Sequence, residues 1–252
     1  MTGNLDLRHR VAAVSGGLGD IGRAVASALA SAGAQVALGD RLPMITARRV
    51  MPGFHYTRVD VTRKEQIDRW LRQVASDLGT PDLVICNAGI VKVGTALETT
   101  RQTWDQTMAV NLAGAFFLAQ SAAQRLLRRR KKGRIIFVGS WAAHAPHRHI
   151  AAYSVAKAGL RMAMKCLALE LAGRGILVNE IAPGKADAGL SRQLFAQRKG
   201  LRDRVQRGVP VGELLQVDEI ARGVLFLCDP QNCHMTGSVL LIDGGVSLVY
   251  GP

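Results

Sequence analysis

The chain has no apolar run of about 18 residues, the length a helix needs to cross a bilayer, so no membrane span is expected. Residues 1–10 are polar and charged; no secretory signal is read there, and a cytoplasmic location is expected. Cysteine is scarce. The four residues, Cys86, Cys166, Cys228 and Cys233, form no C-x-x-C pair, and three fall inside apolar strand or helix patterns. Buried, reduced thiols are expected, and no metal site. Helix-turn-helix, zinc-finger and RNA-binding signatures are absent, so no nucleic-acid partner is expected. Internal repeats, low-complexity tracts and linkers are absent too, and residues 1–252 are expected to form a single domain. Acidic residues are few: 19 against 33 basic ones, for a net charge of +14. That excess admits an anionic partner, but an arginine-rich surface without a specific partner explains it as well. The basic run over 128–134 immediately precedes an apolar strand pattern. It therefore belongs to the edge of a sheet away from ligands, and reads as a solvated helix end.

What the chain does have is alternation. Hydrophobic residues make up 48% and charged ones 21%, which suits a globular protein with a large core. Short apolar runs predict strands over 10–15, 35–39, 54–59, 82–86, 135–138, 176–181 and 239–242. Apolar residues at spacings of three and four predict helices over 20–31, 100–128, 151–174 and 217–228. Gly33 suits a C-cap, and Thr62 with Glu65 has capping-box spacing before a further helix. Residues 185–210 form a polar, arginine-rich insertion. Strands alternating with helices give an α/β fold: a doubly wound parallel sheet of about seven strands with helices on both faces.

Three places carry chemistry. The first strand runs into Gly16, Gly17, Gly19 and Gly22 at the start of a helix. Glycines let a backbone approach a dinucleotide pyrophosphate, and the helix end supplies donors and positive charge. Asp40 closes the second strand, where an acid accepts from a ribose hydroxyl and repels a 2′-phosphate. Tyr153 and Lys157 are four apart on a predicted helix, hence on one face. An ammonium beside a phenol favours the phenolate, so such a tyrosine can move a proton near neutral pH. Ser140, ending the fifth strand, is placed to hydrogen-bond the same substrate oxygen. Tyrosine and lysine at this spacing are also common on solvated helices, so the pair gains meaning only from the rest of the chain.

Taken together, these features resemble the short-chain dehydrogenase/reductase family over nearly the whole length. The family's cofactor turn, T-G-x-x-x-G-x-G, corresponds to Ser15-Gly16-Gly17-Leu18-Gly19-Asp20-Ile21-Gly22. Asn87-Ala88-Gly89 matches its N-A-G; Asn111, Ser140, Tyr153 and Lys157 match its catalytic tetrad. Asn179 with Pro183-Gly184, and Thr236-Gly237 with Asp243-Gly244-Gly245, match later motifs. The resemblance implies a Rossmann fold and NAD(P) chemistry. Tyr153 would be the general acid/base, and Lys157 would lower its pKa and hold the nicotinamide ribose. Ser140 would orient the reacting oxygen, and Asn111 would anchor a relay water. Gly16, Gly19, Asp20, Ile21, Gly22, Asn87, Ala88, Gly89, Pro183 and Gly184 would line the cofactor, with Asp60 and Val61 flanking adenine. A homotetramer is expected by the same resemblance.

Two departures stand out. Asp20 occupies the place of the turn's middle glycine, Gly19 being one position early. It would either weaken pyrophosphate binding or favour the helix end. Ala188 stands where the family usually has the threonine that reaches the nicotinamide carboxamide. The expected function is an NAD-dependent interconversion of a secondary alcohol and a ketone. Asp40 makes NADP the less favoured cofactor, although Arg41 next to it offers a phosphate partner. A 3-oxoacyl-thioester reductase is the rival within the class, and a catalytically silent nucleotide sensor the rival outside it. Three of the six histidines, His144, His147 and His149, lie between Ser140 and Tyr153. With Lys92 and Trp141, His149 is expected to line a lip suited to an oxygen-rich substrate such as a polyol, a sugar acid or a hydroxy acid.

Overall fold

The computed structural model describes residues 5–249, with the side chains at 190, 193, 194 and 197 left aside. Seven parallel strands make one sheet: β1 (Val11–Ser15), β2 (Gln35–Asp40), β3 (His55–Arg58), β4 (Leu83–Cys86), β5 (Gly133–Val138), β6 (Ile176–Pro183) and β7 (Val239–Ile242). Their order is β3-β2-β1-β4-β5-β6-β7. β1, β4 and β5 are buried along their whole length. Apart from Ser15 and Arg134 their side chains are apolar on both faces, which only a sheet covered on both sides can bury. One covering layer is α1 (Asp20–Ser31), α2 (Met44–Val50) and α9 (Val217–Cys228). The other holds α3 (Lys64–Asp77), α5 (Ala115–Arg128) and α6 (Ala151–Leu171). Trp70 of α3 is fully buried in that second layer. Its truncation to alanine costs about 3–5 kcal/mol on the scale of buried aromatics.

The register puts the functional ends together. Ser15 pairs with Gly39, Asp40 with Arg58, Cys86 with Phe137, Val138 with Ile181 and Pro183 with Ile242. All seven strands therefore finish along one edge. Chain order reverses between β1 and β4, the crevice where open α/β sheets bind ligands.

Several expectations need correction. The helix expected over 100–128 is interrupted: α4 (Arg101–Met108) passes into a π-helical turn, Ala109–Gly114, before α5. Gly114, at the end of that turn, packs closely on the loop after β3: a Cβ there would lie 2.9 Å from Val61 Cγ2. The capping box at Thr62 does not form. Thr62 donates to Asp60 Oδ1 through both its N–H and its hydroxyl, and α3 starts after Arg63 with no side-chain cap. The insertion over 185–210 contains α7 (Gly189–Gln197) and α8 (Leu201–Arg207). α2 and α10 (Val246–Val249) were not foreseen, being too short to show a period. All four cysteines are free, but Cys166 and Cys233 are exposed. Arg134 is not part of a solvated end. It is buried in β5, and its Nη2 donates to the carbonyls of Pro230 and Asn232 at 3.2 and 2.9 Å. Among the described residues no helix is long and apolar enough to cross a membrane.

Candidate active site

The glycine turn folds back on itself. Gly16 has φ +63°, a left-handed value that favours glycine, and a Cβ there would lie 2.8 Å from Ala88 Cα. A Cβ on Gly22 would lie 2.1 Å from the Gly16 carbonyl oxygen, so the turn closes on the first coil of α1 only without side chains. The N-cap of α1 is Gly19, which offers no side-chain acceptor. A helix end of this kind, capped by glycine at the crevice, fits a dinucleotide pyrophosphate. Ser15 was overlooked as more than a motif position. Its hydroxyl donates to the Ile85 carbonyl and accepts from the N–H of Asn87 and of Ala88 at 3.0 and 3.2 Å. Asn87 Nδ2 in turn donates to the Ser15 and Gly16 carbonyls. These bonds lock the end of β4 onto the turn.

Asp40 closes β2 as expected. Oδ2 accepts from Leu18 N at 3.1 Å and Oδ1 from Leu42 N at 3.2 Å. A carboxylate oxygen has more than one lone pair, so both remain able to take a ribose hydroxyl. Arg41 beside it is exposed. Asp60 stands at the end of β3, and its Oδ1 is occupied by Thr62.

Asp20 neither caps α1 nor faces the turn. Its Oδ1 accepts from Arg23 at 2.5 Å and its Oδ2 from the Gly189 N–H at 2.8 Å, with Arg192 at 3.4 Å. The bond from Gly189 is the main reason its carboxyl sits below the usual range. Arg192 also pairs with Asp187, which Arg202 reaches at 3.3 Å. The departure in the turn thus ties α1 to the segment that follows β6. Ala188, the other departure, is buried and carries no polar group.

Ser140, Tyr153 and Lys157 converge at the end of β5. Ser140 is buried in extended backbone, and its Oγ accepts from Ala142 N at 3.1 Å. Burial pushes the Tyr153 phenol above its usual range, the neighbouring Ser140 side chain works the other way, and Glu180 adds to the rise. The net direction is upward, whereas the ammonium of Lys157 was expected to lower the phenol. The ammonium lies 5.6 Å from the Tyr153 ring centroid and donates to the Val138 carbonyl at 2.7 Å. Burial brings Lys157 itself down to about 8, with Glu180 and Cys86 opposing the fall.

Asn111 sits in the π-helical turn, wholly buried. Its Nδ2 donates to the carbonyls of Ile90 and Thr107 at 2.9 and 3.1 Å, and its Oδ1 accepts from Ile90 N at 3.0 Å. The wide turn is what brings this amide to the loop after Gly89, and π-turns of this kind gather at functional sites. A relay water would have to share an amide already bonded three times.

The lip residues separate. Gly94 N donates to the His149 carbonyl, bringing the loop of Lys92 against the one before α6; Lys92 and His149 are both exposed there. His149 has φ +68°, uncommon for a residue with a side chain. Trp141 is buried, its ring packed edge-on against His147 at 5.4 Å between centroids. Pro183 and Gly184 end β6, where a Cβ on Gly184 would lie 2.5 Å from Asp243 Cα. Asn179 bonds Met235 O and Ser238 N, holding the loop before β7. The sequence reading missed Arg161 and Glu180 altogether. A lone acid inside the apolar pattern of β6 and a basic residue four places after Lys157 were the available signals.

Comparison with known proteins agrees with this geometry. A family model described as "Enoyl-(Acyl carrier protein) reductase" matches residues 17–247. A 2,3-dihydro-2,3-dihydroxybenzoate dehydrogenase of Bacillus subtilis is 32% identical, covering 96% of this chain and 97% of its own. A 3-oxoacyl-[acyl-carrier-protein] reductase of Escherichia coli is 31% identical, covering 97% and 100%. The crystal structure of a putative 2-deoxy-D-gluconate 3-dehydrogenase from Agrobacterium tumefaciens with bound NADP superposes with a TM-score of 0.86 at 27% identity, covering 97% and 99%. The chain belongs to the short-chain dehydrogenase/reductase family of oxidoreductases.

Proposed function

We propose that the protein interconverts a secondary alcohol and a ketone, with Tyr153 moving the proton. The observation that carries this reading is the convergence of Ser140, Tyr153 and Lys157 at the end of β5, with the Lys157 ammonium, one helical turn further along α6, 5.6 Å from the Tyr153 ring centroid and bonded to the Val138 carbonyl. A nicotinamide, when bound, supplies or takes the hydride. One substrate oxygen can meet both hydroxyls. Tyr153 gives it a proton on reduction and takes one back on oxidation, while Ser140 holds its direction. Lys157, protonated below about pH 8, stabilises the phenolate that remains. Asn111 steadies the loop after Asn87-Ala88-Gly89 through Ile90.

The proposed cofactor is NAD. Asp40 ends β2 with both oxygens available to a ribose, and its charge opposes a 2′-phosphate. The bound NADP of the Agrobacterium relative is the counterweight, with Arg41 as the residue that would serve it. Measured kcat/KM should favour NAD over NADP by about tenfold or more, a difference of about 1.4 kcal/mol. Asp40→Ser should narrow the ratio, and a wild-type preference for NADP would overturn the assignment. The substrate proposed is oxygen-rich, on the strength of Lys92 and His149 at the lip; His149→Ala or Lys92→Ala should raise its KM. A 3-oxoacyl thioester is the second reading, favoured by the exposed Arg202, Arg204 and Arg207 of α8, which suit an acidic carrier. Assay of both substrate classes separates the two, and turnover of either excludes a silent sensor. We also propose a homotetramer. Of the small residues on α5 and α6, Ala119, Ala122 and Ala168 lie in the core of the chain, and Ala163 is half-buried. The outward residues are Met162 and Leu169 of α6, 60% and 83% exposed. Light scattering that gives only the 27.0 kDa monomer would refute the assembly.

A further inference from the structure

Beneath the candidate site lies a charge pair that the chemistry above does not use. Glu180 of β6 is fully buried, and the Arg161 side chain of α6 is 12% exposed. Arg161 Nε donates to Glu180 Oε2 at 2.9 Å and Nη2 to Oε1 at 2.7 Å; Nη2 also lies 3.3 Å from the Ser140 carbonyl oxygen. We propose that Arg161 and Glu180 form a positioning unit: Glu180 fixes the guanidinium, Arg161 holds the Ser140 backbone and so the direction of its hydroxyl, and the two charges together set the field at Lys157. This deepens the proposed function and rests on it.

Tyr153, Lys157 and Arg161 follow one another at intervals of four on α6, so they form one stripe facing the end of β5. Lys157 takes the Val138 carbonyl and Arg161 the Ser140 carbonyl, two residues apart on the same strand end. Between them lies Gly139, where an added Cβ would be 2.0 Å from Glu180 Oε1. The carboxylate therefore fills the space a side chain would take, and residues 138–140 are bracketed by two cations and one anion. A buried carboxylate is tolerated only when paired, and apolar residues of similar volume would fill the same space at least as stably. Its presence is accounted for by what it directs. Lys157 faces Tyr153 on its own helix, where Arg161 follows one turn on, with Glu180 on β6 and Cys86 on β4; His144, after Ser140, faces Arg161, Glu180, Asp243 and Lys165. Among these, Glu180 supports the charged form of Lys157 and Arg161 balances Glu180. Removing one member leaves a net charge, and removing both leaves none.

The test reads Lys157 directly. Carbon-13 lysine NMR, with the Lys157 signal assigned by Lys157→Arg, follows its titration in protein without added cofactor. Glu180→Gln should move the midpoint down and Arg161→Leu up, each by about half a pH unit or more. The double variant should return it close to wild type, and Arg161→Lys, which keeps the charge, should hardly move it. Turnover should separate from this: kcat falls about tenfold or more in Arg161→Leu and stays low in the double variant, because Ser140 has lost its anchor. If a single variant fails to fold, the double variant and Arg161→Lys carry the comparison. Single variants that move the midpoint the same way, or not at all, would overturn the electrostatic part. A double variant with wild-type kcat would overturn the positioning part. If Tyr153→Phe kept full activity, the proposed function would fail while the NMR shifts still stood.

Discussion

Two sets of ion pairs flank the site. One is Arg161 with Glu180, between α6 and β6, with side chains 12% and 0% exposed. The other runs from Asp20 through Arg192 and Asp187 to Arg202, between α1 and the α7–α8 segment, where the arginines are 54% and 47% exposed. The residue types are the same; the dielectric is not. A buried pair is costly to bring out of water and far costlier to break, because the survivor is stranded. An exposed pair is worth about 0–1 kcal/mol and is screened by salt. The site thus has a stiff floor, where Ser140, Tyr153 and Lys157 keep their places, and a lightly fastened rim beside the glycine turn. Chemistry needs the floor rigid, and a segment beside the glycine turn can be held by bonds that are readily exchanged.

If that contrast is right, variants should sort by region. The largest effect is expected from Arg161→Ala, which strands Glu180: a loss of about 3–5 kcal/mol in urea unfolding. A loss under about 1 kcal/mol would show that the floor is no stiffer than the rim. Next is Lys157→Met. The folded midpoint of Lys157, about 8, lies below its ordinary 10.5. Its charge therefore penalises folding fully below about pH 8, and stability from this group is recovered as pH rises toward 10.5. Removing it should stabilise the protein at pH 7 by about 2 kcal/mol, allowing about 1 for the lost bond to Val138. The gain should vanish above about pH 10.5, and a gain independent of pH would refute the cause. The smallest effect is expected at the rim: Arg192→Ala should change stability by less than about 1 kcal/mol. Hydrogen exchange at the Gly189 amide should nevertheless quicken in Asp20→Gly, because its acceptor is gone. A global loss of several kcal/mol on Arg192→Ala would erase the distinction.

Sequence periodicity revealed most of the frame. The bounds of α1, α9 and β7 were legible because each has a strong pattern and a clear glycine or polar stop. The places of the glycine turn, Asp40, Ser140 and the Tyr153–Lys157 pair on strand ends and one helix face were legible for the same reason, while their reading as one site came from the family resemblance. What stayed hidden depends on distant partners. No local rule signals that Asp20 reaches Gly189, that Glu180 fills the space beside Gly139, or that Gly114 packs on Val61 and the helix widens at Asn111. Burial of the Tyr153 phenol, which raises it against the opposing effect of Ser140, was not legible either, because spacing does not reveal burial.

The central claim is that Tyr153 moves the proton and does little else. Calorimetric binding of NAD and turnover of the best alcohol found should be measured on the same preparation of Tyr153→Phe. NAD affinity within about twofold of wild type is expected, with a fall in kcat of about a hundredfold to ten-thousandfold, the range a positioned acid/base supplies. Turnover near the wild-type rate, with NAD bound normally, would contradict it.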